Sequence, residues 1–381
     1  MKHIAVFCDG TWNNADAAFP TNVVKLAQAV SLAPGGSPAQ QVIYVPGVGT
    51  GRGATALARW LDRVAGGAFG LGLNLNLEEA YRALAFAHAP GDRIHLFGFS
   101  RGAYMARSLA GLLRASGLPP RRNVGRLRAA LERYRSPLAS THPDHERSFA
   151  FRLDFAPEVT TGDAERAWRA RHGHPAGLPL DLAYIGVWDT VGALGVPTQY
   201  RLLARLMNGS HAFHDTRLSS MVRAARHAVA VDERRRSFEP ALWDNLDRLN
   251  RGAATAAQPF LQQWFPGDHG SVGGGGDRHA LSDRALRWIA EGAALAGLRF
   301  EPGSLPPALP MPPPDAPLRN RRAPPSVFDR ALGLTATDRE GPDDPADLAA
   351  ETVDRWHRNP DYRPRTLDKV SLALSSGPQA G

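Results

Sequence analysis

The chain has 381 residues and a single cysteine, Cys8, so no internal disulfide can form and the fold must be held by packing and hydrogen bonds. A lone thiol inside an apolar run reads as a small buried strand residue and suits synthesis in a reducing compartment. Metal-ligand spacing is also missing. Histidine and aspartate occur as neighbours, His214-Asp215 and Asp268-His269, not at the intervals that put two ligands on one face. Lysine is nearly absent: Lys2, Lys25 and Lys369 are the only ones among 45 basic residues, so arginine carries the net charge of +8. The arginines are scattered and not interleaved with aromatic residues, which argues against a nucleic-acid-binding module. That skew suits a GC-rich coding composition, and attraction to an anionic membrane surface is the functional reading left open. No apolar run approaches the ~18 residues of a membrane span. Met1-Lys2-His3 leads directly into a strand-like run with no signal peptide, so the expectation is cytoplasmic synthesis, with export by a signal-independent machine open.

Against this background one stretch stands out. Gly98-Phe99-Ser100-Arg101-Gly102 sits where the apolar run Arg93 to Phe97 turns into an amphipathic stretch, Arg101 to about Ser116. A nucleophilic serine on a sharp strand-to-helix turn needs glycines two residues to either side, because a Cβ there would strike the neighbouring elements. After it comes a second apolar strand, Leu182 to Trp188, ending at Asp189. A third, Phe260 to Phe265, is followed by a glycine-rich loop carrying His269. The order Ser, Asp, His is that of α/β-hydrolases. We therefore read Ser100 as nucleophile, His269 as base and Asp189 as the acid that orients it, with His279 and His227 as competing bases and Asp232 as the competing acid. The first strand, Ile4 to Cys8, opens into Asp9-Gly10-Thr11. Acyl transfer needs two backbone N–H groups aimed at the developing oxyanion. One is assigned to Gly10 or Thr11 and the other to Arg101, with Asp9 as a possible organiser of that loop.

Two other motifs are formal matches only. Gly49-Thr50-Gly51-Arg52-Gly53-Ala54 fits a dinucleotide-binding turn but lacks the acidic residue expected near position 70, and it reads better as part of a pocket mouth. Asp9-Gly10-Thr11 fits a phosphatase start except that Phe7 stands where that chemistry requires an aspartate. No cofactor and no metal are expected.

Strands near Ile4, Val42, Leu96, Ile185 and Leu261 alternate with helical stretches at 22–32, 77–89, 103–116 and 283–297, which predicts an α/β fold with a mainly parallel sheet and helices on both faces. Residues 1–300 form the catalytic domain in this reading. Within it, 119–180 and 197–259 are too long for ordinary connections and are read as cap or lid insertions. The first holds a basic helix candidate at 124–134. The second holds Arg217 to Val229, read likewise, and the charged run Asp232 to Arg236, read as a solvated face. Residues 301–326 are proline-dense, a strap or linker. Residues 327–381 should pack back on the domain, with short helices at 328–332 and 348–357.

Five blocks in order, FCDGTWNN, YVPGVGTG (Tyr44 to Gly51), GFSRGAYMARSLAG (Gly98 to Gly111), YIGVWDTVGALG (Tyr184 to Gly195) and WFPGDHGSVGGG (Trp264 to Gly275), resemble a bacterial and fungal α/β-hydrolase family. That family includes the first class of type VI secretion lipase effectors. The helix at 281–298 and Tyr362-Arg363-Pro364 also look like it. The resemblance places the family's Ser, Asp and His on Ser100, Asp189 and His269. It implies phospholipase A or a related carboxylester hydrolysis of a glycerophospholipid, with an immunity protein or the secretion machinery as partners. The chain departs from the pattern at Ser271, where the family usually has aspartate, and at Gly276, where it has an aromatic. The rival expectations are a soluble esterase or thioesterase using the same triad, and a catalytically silent binding module.

Overall fold

The computed structural model describes residues 1–10, 13, 15–32, 38–47, 67–192, 217–253, 258–307, 310–322 and 336–376. Thr11, the Gly49–Ala54 block, the expected helix at 328–332 and residues 197–216 of the second expected insertion lie outside them.

Six strands form one sheet: β1 (Lys2–Cys8), β2 (Ala39–Val45), β3 (Arg93–Phe99), β4 (Asp181–Trp188), β5 (Ala225–Ala230) and β6 (Phe260–Phe265). Their order is β2-β1-β3-β4-β5-β6 and every neighbouring pair is parallel. Both faces are covered, which is why the central strands are apolar runs and do not alternate with polar residues. On one face Ile4, Val6, Leu96 and Val187 pack with Leu77 and Tyr81 of α2 (Gly67–Ala87) and with Ala106 and Leu109 of α3 (Arg101–Ser116). On the other, Phe7, Phe97 and Tyr184 meet Val23 and Leu26 of α1 (Asn22–Ala29) and Leu286 and Ile289 of α9 (Ala280–Leu295). Thr21 caps α1 by accepting from the Val24 amide.

The order creates a switch point. From β1 the chain crosses to β2 on one side and then returns to β3 on the other, so the crevice at the carboxyl ends of β1 and β3 is where α/β sheets bind ligands. Asp9 and Gly10 leave β1 there, and Ser100 leaves β3.

Residues 119–180 fold around α4 (Leu127–Arg135), α5 (Glu146–Phe155) and α6 (Asp163–Arg171). Their interior is ionic as well as apolar: Glu165 accepts from Arg152 Nε at 2.7 Å and Arg169 Nη2 at 2.6 Å, all three side chains fully buried. Arg152 also donates to the Ala115 carbonyl in the last turn of α3, roughly 20 Å along that helix from Ser100.

The stretch 217–229, expected to be helical, contains strand β5 instead, and the short helix α7 (Leu246–Arg251) follows it. Its alanines and arginines have no strong β preference, and the spacing of Val222, Ala225, Ala228 and Val229 mimics a helix face. Pairing on both sides, Ile185 with Ala225 and Ala225 with Phe260, overrides it. The run Asp232 to Arg236 is a solvated face only in part: Arg234 is exposed and pairs with Asp338, whereas Glu233 is buried and receives both Nε and Nη2 of Arg235.

After α9 the proline-rich residues 301–307 and 310–322 form neither helix nor strand among those described. They are tied down by carbonyls: Pro306 to Arg287, Pro314 to Asn359, Ala316 to Arg355 and Leu318 to the Asp268 amide. Beyond them, α10 (Ala350–Arg358) and α11 (Ser371–Ser376) cover the β6 edge, with Trp356, Tyr362, Leu367 and Leu374 packed on Trp264 and Val229.

Candidate functional site

Ser100 has φ 58° and ψ −125°, and its hydroxyl does not cap α3. Its amide donates to Trp188 O at 3.0 Å, which locks the turn to the end of β4. The two flanking glycines are required by contact. A Cβ at Gly98 would lie 2.4 Å from Gly102 O, and one at Gly102 would lie 2.1 Å from Cys8 O and 2.4 Å from Asp9 O. Among the described non-glycine residues only Ser100 and Asp189 have positive φ, 58° and 36°. Strain of this kind costs about 1–3 kcal/mol per residue and persists only where the surroundings impose it. Here the two strained residues end adjacent strands.

Asp189 follows β4, its amide bonded to Ala228 O at 2.7 Å and its carboxylate fully buried. Oδ2 lies 2.6 Å from His269 Nδ1. Oδ1 accepts from the Ala230 amide at 2.9 Å. Arg339 then spans both oxygens, Nη1 to Oδ1 at 2.7 Å and Nη2 to Oδ2 at 3.0 Å. Burial alone would raise the Asp189 carboxyl; the Arg339 charge first, and the His269 hydrogen bond next, reverse this and hold it well below the usual carboxylate range. Asp189 is therefore an acceptor only, so His269 presents Nδ1–H to it, and the neutral imidazole then carries its lone pair on Nε2.

His269 opens the short helix α8 (His269–Gly273), whose cap is Asp268, accepting from the Ser271 amide at 2.9 Å. The imidazole is held between Phe99, with ring centroids 4.5 Å apart, and the edge-on ring of Phe238 at 4.7 Å. Gly273 is a glycine because a Cβ there would enter the Phe99 ring at 2.0 Å. Glu233 accepts from the His269 amide at 3.3 Å. The two departures from the family pattern face the strap. Ser271 Oγ donates to Leu318 O at 2.7 Å, and a Cβ at Gly276 would lie 2.2 Å from Asn320 O.

The competing residues are occupied elsewhere. His227 is fully buried, its Nε2 accepting from the Thr190 amide at 3.1 Å and its Nδ1 paired with Gln262 Oε1 at 2.9 Å. Burial pushes its imidazole down to about 3. His279 lies beside Lys25, 3.4 Å from Nζ. Asp232 accepts from the Gly267 amide and the Tyr362 hydroxyl, anchoring the loop before His269 and not the imidazole itself.

Asp9 joins three segments: Oδ1 accepts from the Gly10 amide at 2.7 Å and Thr21 Oγ1 at 2.9 Å, and Oδ2 from the Tyr44 hydroxyl at 2.8 Å. The Gly10 amide, one of the expected oxyanion donors, is thus engaged by Asp9. Arg101 follows Ser100 as the first residue of α3. Sequence reasoning missed Arg339. It stands 150 residues after Asp189 in a segment with no motif, and one arginine among so many gives no signal.

The profile of the family described as T6SS phospholipase effector Tle1-like, catalytic domain, matches residues 2–292. The chain belongs to that family. The matched region holds β1 to β6 and the Ser100, Asp189 and His269 positions, and Arg339 lies outside it. The chain is also similar to the Uncharacterized protein YEL023C of Saccharomyces cerevisiae, 28% identical over 426 aligned positions that cover 80% of this chain and 58% of that protein. Among solved structures, an uncharacterized protein from Pseudomonas aeruginosa aligns at 19% identity with a TM-score of 0.42, covering 79% of this chain and 47% of that one. The Tle1 effector bound to the VgrG spike from the type 6 secretion system aligns at 18% identity with a TM-score of 0.33, covering 72% and 51%. The chain thus spans about half the length of these relatives. No helix among the described residues is long and apolar enough to cross a membrane.

Proposed function

We propose that this Tle1-like domain is a serine carboxylester hydrolase of phospholipase A type, acting on glycerophospholipids as a type VI secretion effector. The observation that carries the chemistry is the His269 Nδ1 to Asp189 Oδ2 pair at 2.6 Å, with Asp189 following the strand that pairs with the one Ser100 leaves at a strained strand-to-helix turn. The lipid substrate and the partnership with the secretion machinery rest on the family.

In this reading His269 Nε2 takes the Ser100 proton as Oγ attacks the ester carbonyl. Asp189 stabilises the imidazolium that results. The oxyanion is held by the Arg101 amide and by the loop at Gly10 and Thr11, and the Gly10 amide can join only by giving up Asp9 Oδ1. His269 then protonates the leaving lysolipid oxygen, and water enters by the same route to release the fatty acid.

The test is fluorophosphonate labelling of the full chain together with fatty-acid release from phosphatidylglycerol and phosphatidylcholine vesicles. Wild type should label and hydrolyse, and Ser100→Ala should do neither, its rate down by a factor on the order of 10⁴ or more. Hydrolysis that survives in Ser100→Ala would refute the mechanism. Labelling with turnover of short soluble esters but not of vesicles would transfer the domain to the esterase reading.

A further inference from the structure

We infer that Arg339 is a positioning residue of the catalytic apparatus, so that the segment after the proline-rich strap, outside the matched catalytic domain, completes the site. The inference rests on the acyl-transfer reading above.

A fully buried carboxylate without a counter-charge either takes up a proton or costs several kcal/mol. The imidazole must be neutral to accept the Ser100 proton, so something else must keep Asp189 ionised. Arg339 is placed to do this. Its guanidinium is almost fully buried and meets the carboxylate with a fork, 2.7 and 3.0 Å, the geometry that fixes the carboxylate plane as well as its charge. The other two Nη hydrogens are used as well: Nη1 also donates to Ala230 O at 2.7 Å and Nη2 to Phe238 O at 2.5 Å. Phe238 is the residue whose ring edge meets His269. One side chain therefore sets the acid, the end of β5 and the wall of the imidazole slot together. The segment leading to Arg339 is itself fastened, Thr337 N to Arg234 O at 2.8 Å and Arg234 to Asp338 at 2.8 Å.

The charged groups facing His269 are Asp189, Glu233 with its partner Arg235, Asp268 next in sequence, and Arg339 behind Asp189. With Arg339 present, Asp189 orients the imidazole without binding a proton onto it too early. With Arg339 gone, the naked carboxylate favours the imidazolium, and the base is blocked to a higher pH.

The experiment uses the full chain and a short soluble ester, comparing wild type, R339M, R339K and Ser100→Ala over pH 5 to 9, with thermal unfolding recorded for each. R339M should lose about 10²-fold in kcat with KM near the wild-type value, the loss expected of a shifted catalytic geometry. The acid limb of kcat/KM should move up by about one pH unit, the size of effect a unit charge at this range produces. R339K restores the charge without the fork and should return the limb to its wild-type position while kcat stays about tenfold low. Wild-type kcat and an unmoved limb in R339M overturn the inference, as does a loss that merely follows the unfolded fraction. If R339M does not fold, wild-type kcat in R339K overturns it. A Ser100→Ala rate equal to wild type would instead refute the acyl-transfer reading on which it rests.

Discussion

Replacing Asp189 by asparagine keeps its size and removes its charge, and the structure says which way the new amide must turn. All four hydrogen bonds to the carboxylate come from N–H donors: the Ala230 amide and Arg339 Nη1 at Oδ1, His269 Nδ1 and Arg339 Nη2 at Oδ2. An asparagine supplies one acceptor oxygen and one NH₂ group. Whichever way it turns, the NH₂ faces two donors. The Ala230 amide cannot change its proton, but the imidazole can, so the NH₂ should face His269 and force its proton from Nδ1 to Nε2. In the proposed mechanism Nε2 is the nitrogen that accepts from Ser100. The expected result is a fall in kcat on the order of 10⁴ at neutral pH. Arg339, left buried without its counter-charge, adds a stability loss of about 3–5 kcal/mol. The assay is steady-state hydrolysis of a soluble ester with thermal and urea unfolding of the same preparations. The control is Asp232→Asn, whose single bonded oxygen serves Gly267 N and the Tyr362 hydroxyl and can be replaced by an amide oxygen. Burial pushes Asp232 up to about 6. With a folded-state value above the unfolded one, its contribution is most favourable at low pH and is lost as pH rises through about 6. Asp232→Asn should keep its activity and gain stability relative to wild type across that interval. A kcat in Asp189→Asn within about tenfold of wild type, or a larger loss in Asp232→Asn, would refute the assignment of the acid.

Gly102→Ala must push the first turn of α3 away from Cys8 O and Asp9 O, 2.1 and 2.4 Å from the new methyl. It should cost about 1–3 kcal/mol and about 10²-fold in kcat, read by thermal unfolding and ester hydrolysis. Glu165→Leu leaves Arg152 and Arg169 buried without an acid and should destabilise by about 3–5 kcal/mol, while kcat per folded molecule stays constant because that unit is anchored at the far end of α3. Activity on anionic vesicles should exceed that on neutral ones and fall steeply with salt, each arginine near the surface adding about 1 kcal/mol, while soluble-ester hydrolysis stays flat. Equal salt responses would show that the +8 charge takes no part in lipid binding.

Five of the six strands and the helices flanking Ser100 were legible because each carries its own periodicity or a continuous apolar run bounded by turn residues. Ser100 was legible because the glycines its turn requires stand two residues to either side of it, although the contacts that exclude a side chain at Gly102 come from Cys8 and Asp9 at the end of β1. β5 was not, since six residues of mixed small and charged character become a strand only by lying between β4 and β6. Glu233 sat in a run that looks solvated, yet it turns inward to hold Arg235 and the His269 amide.

The sequence alone therefore determined the local devices: the elbow at Ser100, the strand end at Asp189, the loop at His269, and their order along the chain. Tertiary structure decided what closes around them. The strap carbonyl at Leu318 fixes the histidine loop, Asp9 draws Thr21 and Tyr44 to the β1 end, and Arg339 neutralises an acid 150 residues earlier. The reason is physical. Backbone strain and apolar periodicity are written over a few neighbouring residues, whereas the partner of a buried charge need only be near in space.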